Sequence, residues 1–320
     1  MNAFEQYVLK TIDKYHMIEK GSTVVAAVSG GYDSMCMLAV LHSLKNLREY
    51  DVCAVHINHM LRDTAGEDEE FVRSYAEKLG IKAYTKKTDV SAYAEKNKIS
   101  FETAGRILRY EYFNEIAGMY EKSVIATAHN ANDSAESMLM HLMRGSGLSG
   151  LSGIRPVNGR IIRPLAEADR ESIEKYCDEN NVPHRHDVTN DSDDYKRNDI
   201  RHNVLPPMLE RCSLLSLTRT MNIISDDDSF LEQAAALAFS DCVRTESGRK
   251  LVNLKKFNNL HVSLRRRVVR LALEKTDGEN QVCLVHIDEI LKMAERAVGG
   301  KHTRLPGGRI VRIEKGELVI

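Results

Sequence analysis

The sequence predicts a doubly wound α/β domain built on a mainly parallel sheet, followed by a smaller, mainly helical domain with a short β tail. Three observations carry this prediction. Short β-branched runs alternate with helical patterns through the first half of the chain, as expected of strands covered on both faces by crossover helices. Polar clusters stand at the ends of three of these runs: "SGGYDS", "HINHMLR" and "ATAHNANDSAES". Ligands in such folds bind outside the carboxyl ends of the strands, so the three clusters would converge on one edge of the sheet. Beyond Pro206–Pro207 the alternation gives way to helical periodicity.

The elements follow in order. "MNAFEQYVLKTIDKYHMIEKG" carries charge throughout and reads as an amphipathic helix, not a signal peptide. Strands are expected at Val24–Val28, Val52–Ile57, Lys82–Thr85 and Val124–Ala128, with helices near Ser34–Arg48, Asp68–Leu79 and Thr103–Tyr120. The Gly-, Ser- and Arg-rich segment Gly145–Arg163 reads as a loop region. A helix near Arg170–Asn180 follows, then a polar loop over His184–His202. Leu217 to Val298 is mostly helical, with Asp226–Asp228 suited to a helix N-terminus, where negative charge is favoured. The tail from His302 reads as short strands joined by Gly turns. The domain boundary is placed between 1–209 and 210–320.

Composition narrows the classes. A chain of 320 residues allows two domains, each with its own core. The net charge of −1 offers no global attraction for a polyanion, so nucleic acid would have to meet a local basic patch. None of the 6 cysteines forms a C-x-x-C pair, which suits reduced core thiols in a reducing compartment. No apolar run approaches the roughly 20 residues of a membrane span. The expectation is a cytoplasmic protein with no membrane partner.

The richest stretch is "VVAAVSGGYDSMCMLAVLHSL", Val24 to Leu44. Gly30 and Gly31 permit close backbone approach, the following helix start offers unpaired N–H groups, and Ser29 and Ser34 add hydroxyls. Together they suit a phosphate. No Gly-Lys-Ser/Thr closes the loop, so it is not a Walker A motif. Another cation must balance the phosphate, and Asp33 is a natural ligand for Mg²⁺, which takes one or two carboxylates plus phosphate oxygens.

"SGGYDS" resembles the S-G-G-x-D-S loop of the PP-loop ATP pyrophosphatases, whose fold is of the adenine nucleotide alpha hydrolase, Rossmann-like type. The resemblance implies that Ser29, Gly30, Gly31, Tyr32, Asp33 and Ser34 bind ATP, which is cleaved between its α- and β-phosphates. Five further strings narrow the branch. "HINHMLR" (His56–Arg62), "ETAGRILRYEYF" (Glu102–Phe113), "AHNANDSAESMLMHLMRGSG" (Ala128–Gly147), "RPLAEADRESIEKY" (Arg163–Tyr176) and "DVTNDSDDYKRNDIRHNVLP" (Asp187–Pro206) are similar to motifs of the tRNA(Ile)-lysidine synthase family, in order and at compatible spacing. Residues 210–320 resemble that family's tRNA-binding region loosely, and the chain would be a short form. One departure stands out: Asn132-Asp133 replaces an adjacent aspartate pair, which would weaken a metal or lysine contact at position 132.

The resemblance implies ligation of L-lysine to the wobble cytidine of an isoleucine tRNA with a CAU anticodon, using ATP and Mg²⁺ through an adenylated base. Asp133 and Glu136 lie three apart on one helix face, either as an acid-rich helix start or as a pair for an incoming ammonium. The resemblance favours lysine binding and attack. His129 would hydrogen-bond near the phosphates or base. Arg109 is expected on the α-phosphate or the charge developing at O2. Arg201, with Arg197 and His202 near it, supplies a second phosphate cation. Arg106 has an ordinary ion pair with Glu102 as its alternative reading. His56, Asn58, His59 and Arg62 would shape a nucleotide or anticodon pocket, His56 equally fitting a packed core. For tRNA the candidates are Arg144, Arg155, Arg160, Arg163, Arg265–Arg267, Lys301, Arg304, Arg309 and Arg312, against solvated helix faces as the plainer account. A tRNA thiolase would want paired cysteines, but Cys36 and Cys53 both sit in apolar runs. A non-enzymatic binding module would not need all the charged groups together. The oligomeric state stays open, a homodimer included.

Overall fold

Strand β1 (Thr23–Ala27) is the middle of the first sheet, and its Val24, Val25 and Ala26 are fully buried, as its unbroken apolar run requires. A computed structural model describes residues 1–58, 65–185, 195–273 and 282–320. Its contacts divide into two units, Met1–Ile224 and Ser225–Ile320.

In the first unit, α1 (Ala3–Lys14) precedes β1, and α2 (Tyr32–Arg48), β2 (Asp51–Asn58), α3 (Ala65–Lys78) and β3 (Lys82–Lys87) follow. After α4 (Val90–Asn97) and α5 (Phe101–Ala117) come β4 (Ser123–Ala126) and α6 (Ala131–Met143). The sheet order is β3-β2-β1-β4, all parallel, extended by a short hairpin described below. Side chains of β1 alternate between two cores. Val24 and Ala26 face Met35, Leu38 and Leu41 of α2, whereas Val25 packs with Val55 of β2, Ile125 of β4 and Phe113 and Ile116 of α5. Each large side chain so buried contributes roughly 1.5–3 kcal/mol, and this sandwiching holds the strand ends in register at one edge.

Three sequence expectations change, two of them in this unit. Gly145–Arg163 is not simply loop: it holds α7 (Leu148–Leu151) and a hairpin of β5 (Val157–Asn158) and β6 (Ile161–Ile162). β6 pairs in parallel with β4, Ile125 opposite Ile161, so the hairpin extends the sheet to the order β3-β2-β1-β4-β6-β5. Two-residue strands are too short for any periodicity to betray. After α8 (Arg170–Glu179), the expected polar loop is in part helical. α9 (Tyr195–Asp199) runs into a π-helical turn (Ile200–Val204) and α10 (Leu205–Leu209). Ile200 and Leu205 are buried against Ala135 and Leu139 of α6, an apolar stripe diluted by the surrounding charge.

The third change concerns Asp226–Asp228. They start no helix, because α11 (Leu214–Cys242) begins earlier on the apolar-periodic "LLSLTRTMNII". The second unit continues with β7 (Val243–Glu246), β8 (Arg249–Asn253), α12 (Leu254–Asn258), α13 (Val262–Leu273), α14 (Leu284–Arg296), β9 (His302–Arg304), β10 (Ile310–Glu314) and β11 (Glu317–Val319). The β7–β8 hairpin interrupts the helical stretch the periodicity suggests. It turns through Ser247 (φ 50°) and Gly248 (φ 76°), and joins the tail in an antiparallel sheet of order β7-β8-β11-β10-β9. Phe257, Ile287, Ile290, Ile313 and Leu318 form its core. Among the described residues no helix is long and apolar enough to cross a membrane.

Asp228 is fully buried and accepts a 2.7 Å hydrogen bond from Arg267. Truncating one member of such a pair strands the other's charge. Asp228→Ala is expected to cost about 3 kcal/mol, read as a lowered urea midpoint.

Candidate active site

The loop after β1 organises itself through one hydroxyl. Ser34 Oγ accepts from the backbone N–H of Ser29 (3.1 Å) and Gly30 (3.2 Å) and donates to the Gly31 carbonyl (3.0 Å). Ser34 is therefore engaged inside the loop, while Ser29 Oγ lies 3.2 Å from it. Gly30 has φ 100°, a conformation side chains resist, and Gly31 caps α2. The loop is held from below and from the side. Buried His56 donates through Nδ1 to the Val28 carbonyl (2.9 Å), packing beside the strand that leads into the loop. Arg185 N–H donates to the Gly30 carbonyl (2.9 Å), and the His184 ring stacks on Tyr32 with centroids 3.4 Å apart.

Asp33, in the first turn of α2, meets α6 through Asn130. This fully buried amide donates from Nδ2 to Asp33 Oδ1 (2.8 Å) and accepts through Oδ1 from Asp133 N–H (3.0 Å). Its own N–H donates to Asp133 Oδ2 (3.0 Å), completing the N-terminal cap of α6. Burial, and then the neighbouring Asp133 charge, raise the pKa of Asp33; the Asn130 bond, Arg170 and Arg201 oppose the rise.

Asp133 and Glu136 do share a helix face, but they already hold cations. Arg201 binds Glu136 through Nε (2.8 Å) and Nη2 (3.0 Å), and Arg197 Nε binds it at 3.0 Å. Arg197 Nη2 also reaches Asp133 Oδ1 (3.2 Å), and Arg201 Nη2 lies 3.5 Å from it. Arg170 stands 3.9 Å from Asp133 and 3.8 Å from Glu136. Glu136 is completely buried and Asp133 retains 13% of its side-chain exposure. Glu136 thus anchors guanidinium groups, whereas Asp133 stands at the rim. Arg197 and Arg201 meet the same carboxylate because they are four apart across the join of α9 and the π-turn.

Asn132 is engaged with the backbone of the next helix. Its Oδ1 accepts from the backbone N–H of Arg170 (3.0 Å), holding the start of α8. His129, at the end of β4, lies 3.1 Å from Thr127 Oγ1 through Nδ1. Burial foremost, with the charges of Arg163, Arg197 and Arg109, pushes its pKa down to about 4 against the pull of Asp133, so it is neutral at pH 7. Arg109 is otherwise apart from the carboxylates; its Nε donates to the Gly105 carbonyl (3.3 Å) within α5. The expected Glu102–Arg106 pair is not formed among the described residues, and Arg106 lies over the Tyr110 ring instead, 5.8 Å from its centroid.

The remaining candidates separate by burial. Asn58 is buried against Glu69, while His59 and Arg62 lie outside the described residues, as do residues 186–194. Arg163 is 7% exposed and unsuited to a tRNA backbone, whereas Arg144, Arg155 and Arg160 are exposed. Arg265, Arg266 and Arg267 are paired with Glu295, Asp288 and Asp228. Sequence reasoning missed Asn130, Arg170, His184 and Arg185. Asn130 stood inside a quoted motif, and its place three residues before Asp133 is a capping-box signal.

A Gly-rich turn leading into a helix N-terminus, at the carboxyl edge of a parallel sheet and beside a buried carboxylate, defines a nucleotide-binding domain of the PP-loop class. The PP-loop domain model matches residues 2–208. The tRNA(Ile)-lysidine synthase of Clostridium acetobutylicum is 37% identical over 304 residues, covering 93% of this chain and 66% of that protein. That of Clostridioides difficile is 35% identical over 320 residues, covering 98% of this chain and 69% of that protein. The chain belongs to the tRNA(Ile)-lysidine synthase family. It spans just under two thirds of the length of several relatives, 64% for the Caldanaerobacter subterraneus protein. A U34-tRNA thiolase from Methanococcus maripaludis, solved with its iron–sulfur cluster, shares the fold at a TM-score of 0.58 and 16% identity, covering 69% of this chain and 79% of its own.

Two expectations follow. A His with a depressed pKa leaves the folded chain binding fewer protons than the unfolded one between about pH 6.5 and 4. Its stabilising contribution is complete above pH 6.5 and is lost as pH falls toward 4. His129→Gln should therefore show a smaller fall in Tm between pH 7 and 4 than the wild type. Glu136→Gln leaves Arg197 and Arg201 undercompensated and should lower stability by about 3 kcal/mol in urea unfolding.

Proposed function

We propose that the chain catalyses ATP-dependent ligation of L-lysine to C2 of the wobble cytidine of tRNA(Ile) with a CAU anticodon, giving lysidine, AMP and pyrophosphate. The observation that carries this reading is the single buried bridge from the PP-loop to the carboxylate–guanidinium cluster, Asp33–Asn130–Asp133, in a chain of this family. ATP phosphates need cations and an ammonium needs carboxylates, and the bridge brings the carboxylates of Asp33 and Asp133 beside the guanidinium groups of Arg197 and Arg201.

In this reading Ser29 to Ser34 cradle the β- and γ-phosphates at the start of α2, where unpaired N–H groups favour anions. Asp33 fits a cation: burial and a neighbouring carboxylate make its charge costly without one. Mg²⁺ held there would neutralise charge on the departing pyrophosphate. Cytidine O2 attacks the α-phosphorus as the bond to the β-phosphate breaks. Arg201 and Arg109 hold the α-phosphate oxygens and the charge on O2, and neutral His129 is free to hydrogen-bond the base. The lysine ε-nitrogen then attacks C2 and AMP departs with O2. Asp133 receives the ammonium, and the amine gives up its proton on that side. Glu136 is a positioning residue that fixes Arg197 and Arg201.

The first unit carries this chemistry, and the region from 210 onward serves tRNA binding. Exposed Arg144 and Arg160 on the first unit and Lys301 and Arg304 on the second are the better phosphate contacts, since Arg265–Arg267 are already paired.

The test is incorporation of labelled L-lysine into a tRNA(Ile) CAU transcript with ATP and Mg²⁺. The wild type is expected to incorporate lysine and Asp33→Asn to lose at least about a hundredfold in rate, as removal of one transition-state charge partner does. Asp33→Asn should also raise Tm, because a carboxylate with a raised pKa costs stability at neutral pH. Pyrophosphate release without lysine incorporation would assign a different nucleophile, and neither activity from folded, ATP-binding protein would leave a binding module.

A further inference from the structure

We propose that Arg163 binds the α-carboxylate of the lysine substrate and so makes the enzyme select an amino acid over a simple amine. This rests on the lysine-ligation reading above. Arg163 is an unusual arginine. It is 7% exposed, donates from Nη1 to the Arg155 carbonyl (2.6 Å), and meets the Tyr110 hydroxyl. Among the described residues it has no carboxylate partner, and its buried Nε has no hydrogen-bond acceptor. A guanidinium buried without a counterion is costly unless an anionic group completes it.

The other cations of the site are already balanced. Arg170, Arg197 and Arg201 surround Asp133 and Glu136 on the PP-loop side. The charges of Arg163 and Arg109 are both felt at the His129 imidazole. Strand order sets the spacing. Arg163 directly follows β6, which pairs with β4, and β4 in turn pairs with β1 ahead of the PP-loop. Adjacent strands lie about 4.8 Å apart, so a group over β6 is roughly 5–10 Å from carboxylates over β4 and β1. An extended lysine spans roughly 7–8 Å from ammonium to carboxylate, from its bond lengths. Its two charged ends then match Asp133 at one end and Arg163 at the other. Placement two strands from the PP-loop argues against an ATP phosphate as the anion.

The test is calorimetric titration of L-lysine and of 1,5-diaminopentane, which is lysine without its carboxylate, in the presence of a non-hydrolysable ATP analogue. The wild type is expected to bind lysine about tenfold or more tightly than the diamine, the worth of one charge-assisted hydrogen-bonded pair. Arg163→Gln should abolish that preference by weakening lysine alone, with diamine and ATP-analogue affinities unchanged, and Arg163→Lys should restore part of it. A wild type that binds both amines equally overturns the proposal without any variant. So does an Arg163→Gln chain that loses ATP-analogue affinity and keeps the lysine preference. A wild type that binds neither amine overturns the lysine reading itself, whereas equal binding of both leaves that reading standing.

Discussion

Everything in the site hangs on one buried side-chain amide. Asn130 has no exposure and its side-chain amide bonds two carboxylate residues from different elements, Asp33 of α2 and Asp133 of α6. Two carboxylates that feel each other in a desolvated place repel, and the raised pKa of Asp33 registers it. The amide keeps them together by satisfying one and capping the helix of the other. Once that distance is set, the guanidinium groups of Arg170, Arg197 and Arg201 have a fixed target. The segment carrying Arg197 and Arg201 is then pinned by Glu136 as much as by Ile200 and Leu205.

The balance of charge explains the layout. Asp33, Asp133 and Glu136 face Arg170, Arg197 and Arg201, so the cluster by itself is near neutral. A neutral but highly polarised site can exchange partners without the large cost of uncovering a lone buried charge. Arriving phosphates can take guanidinium groups from the carboxylates, and an arriving ammonium can take a carboxylate in return. Glu136, wholly buried and bonded three times, is the member that stays in place.

Much of this was legible in the sequence, for identifiable reasons. The β-branched runs of β1, β2 and β4 are long and doubly buried, so their positions and the convergence of three polar clusters could be read directly. The PP-loop announced itself because glycine at a positive φ and serine at a helix start have few substitutes. Partners were harder. Glu136 and Asp133 were identifiable as a pair on one face, but Arg197 and Arg201, whose guanidinium groups hydrogen-bond them, come from 61 and more residues away. Asn132 drew attention as a departure from an aspartate pair, although it serves a helix start 38 residues on while the neighbouring Asn130 does the connecting. The hairpins of β5–β6 and β7–β8 escaped because short strands gain their identity from the sheet they join, not from their own pattern.

The contact of Arg185 with the Gly30 carbonyl, and of His184 with Tyr32, joins residues more than 150 positions apart. A nascent chain emerges from its N-terminus, so the phosphate loop is among the first segments made and among the last to receive its final support. Until Val182–Arg185 has been synthesised and docked, the Gly30 carbonyl lacks its native donor. Contacts of such separation close late, after the entropy of the intervening chain has been overcome. The nucleotide site would therefore mature only when most of the first unit is complete, and ATP could recognise a finished domain but not guide the assembly of an early one.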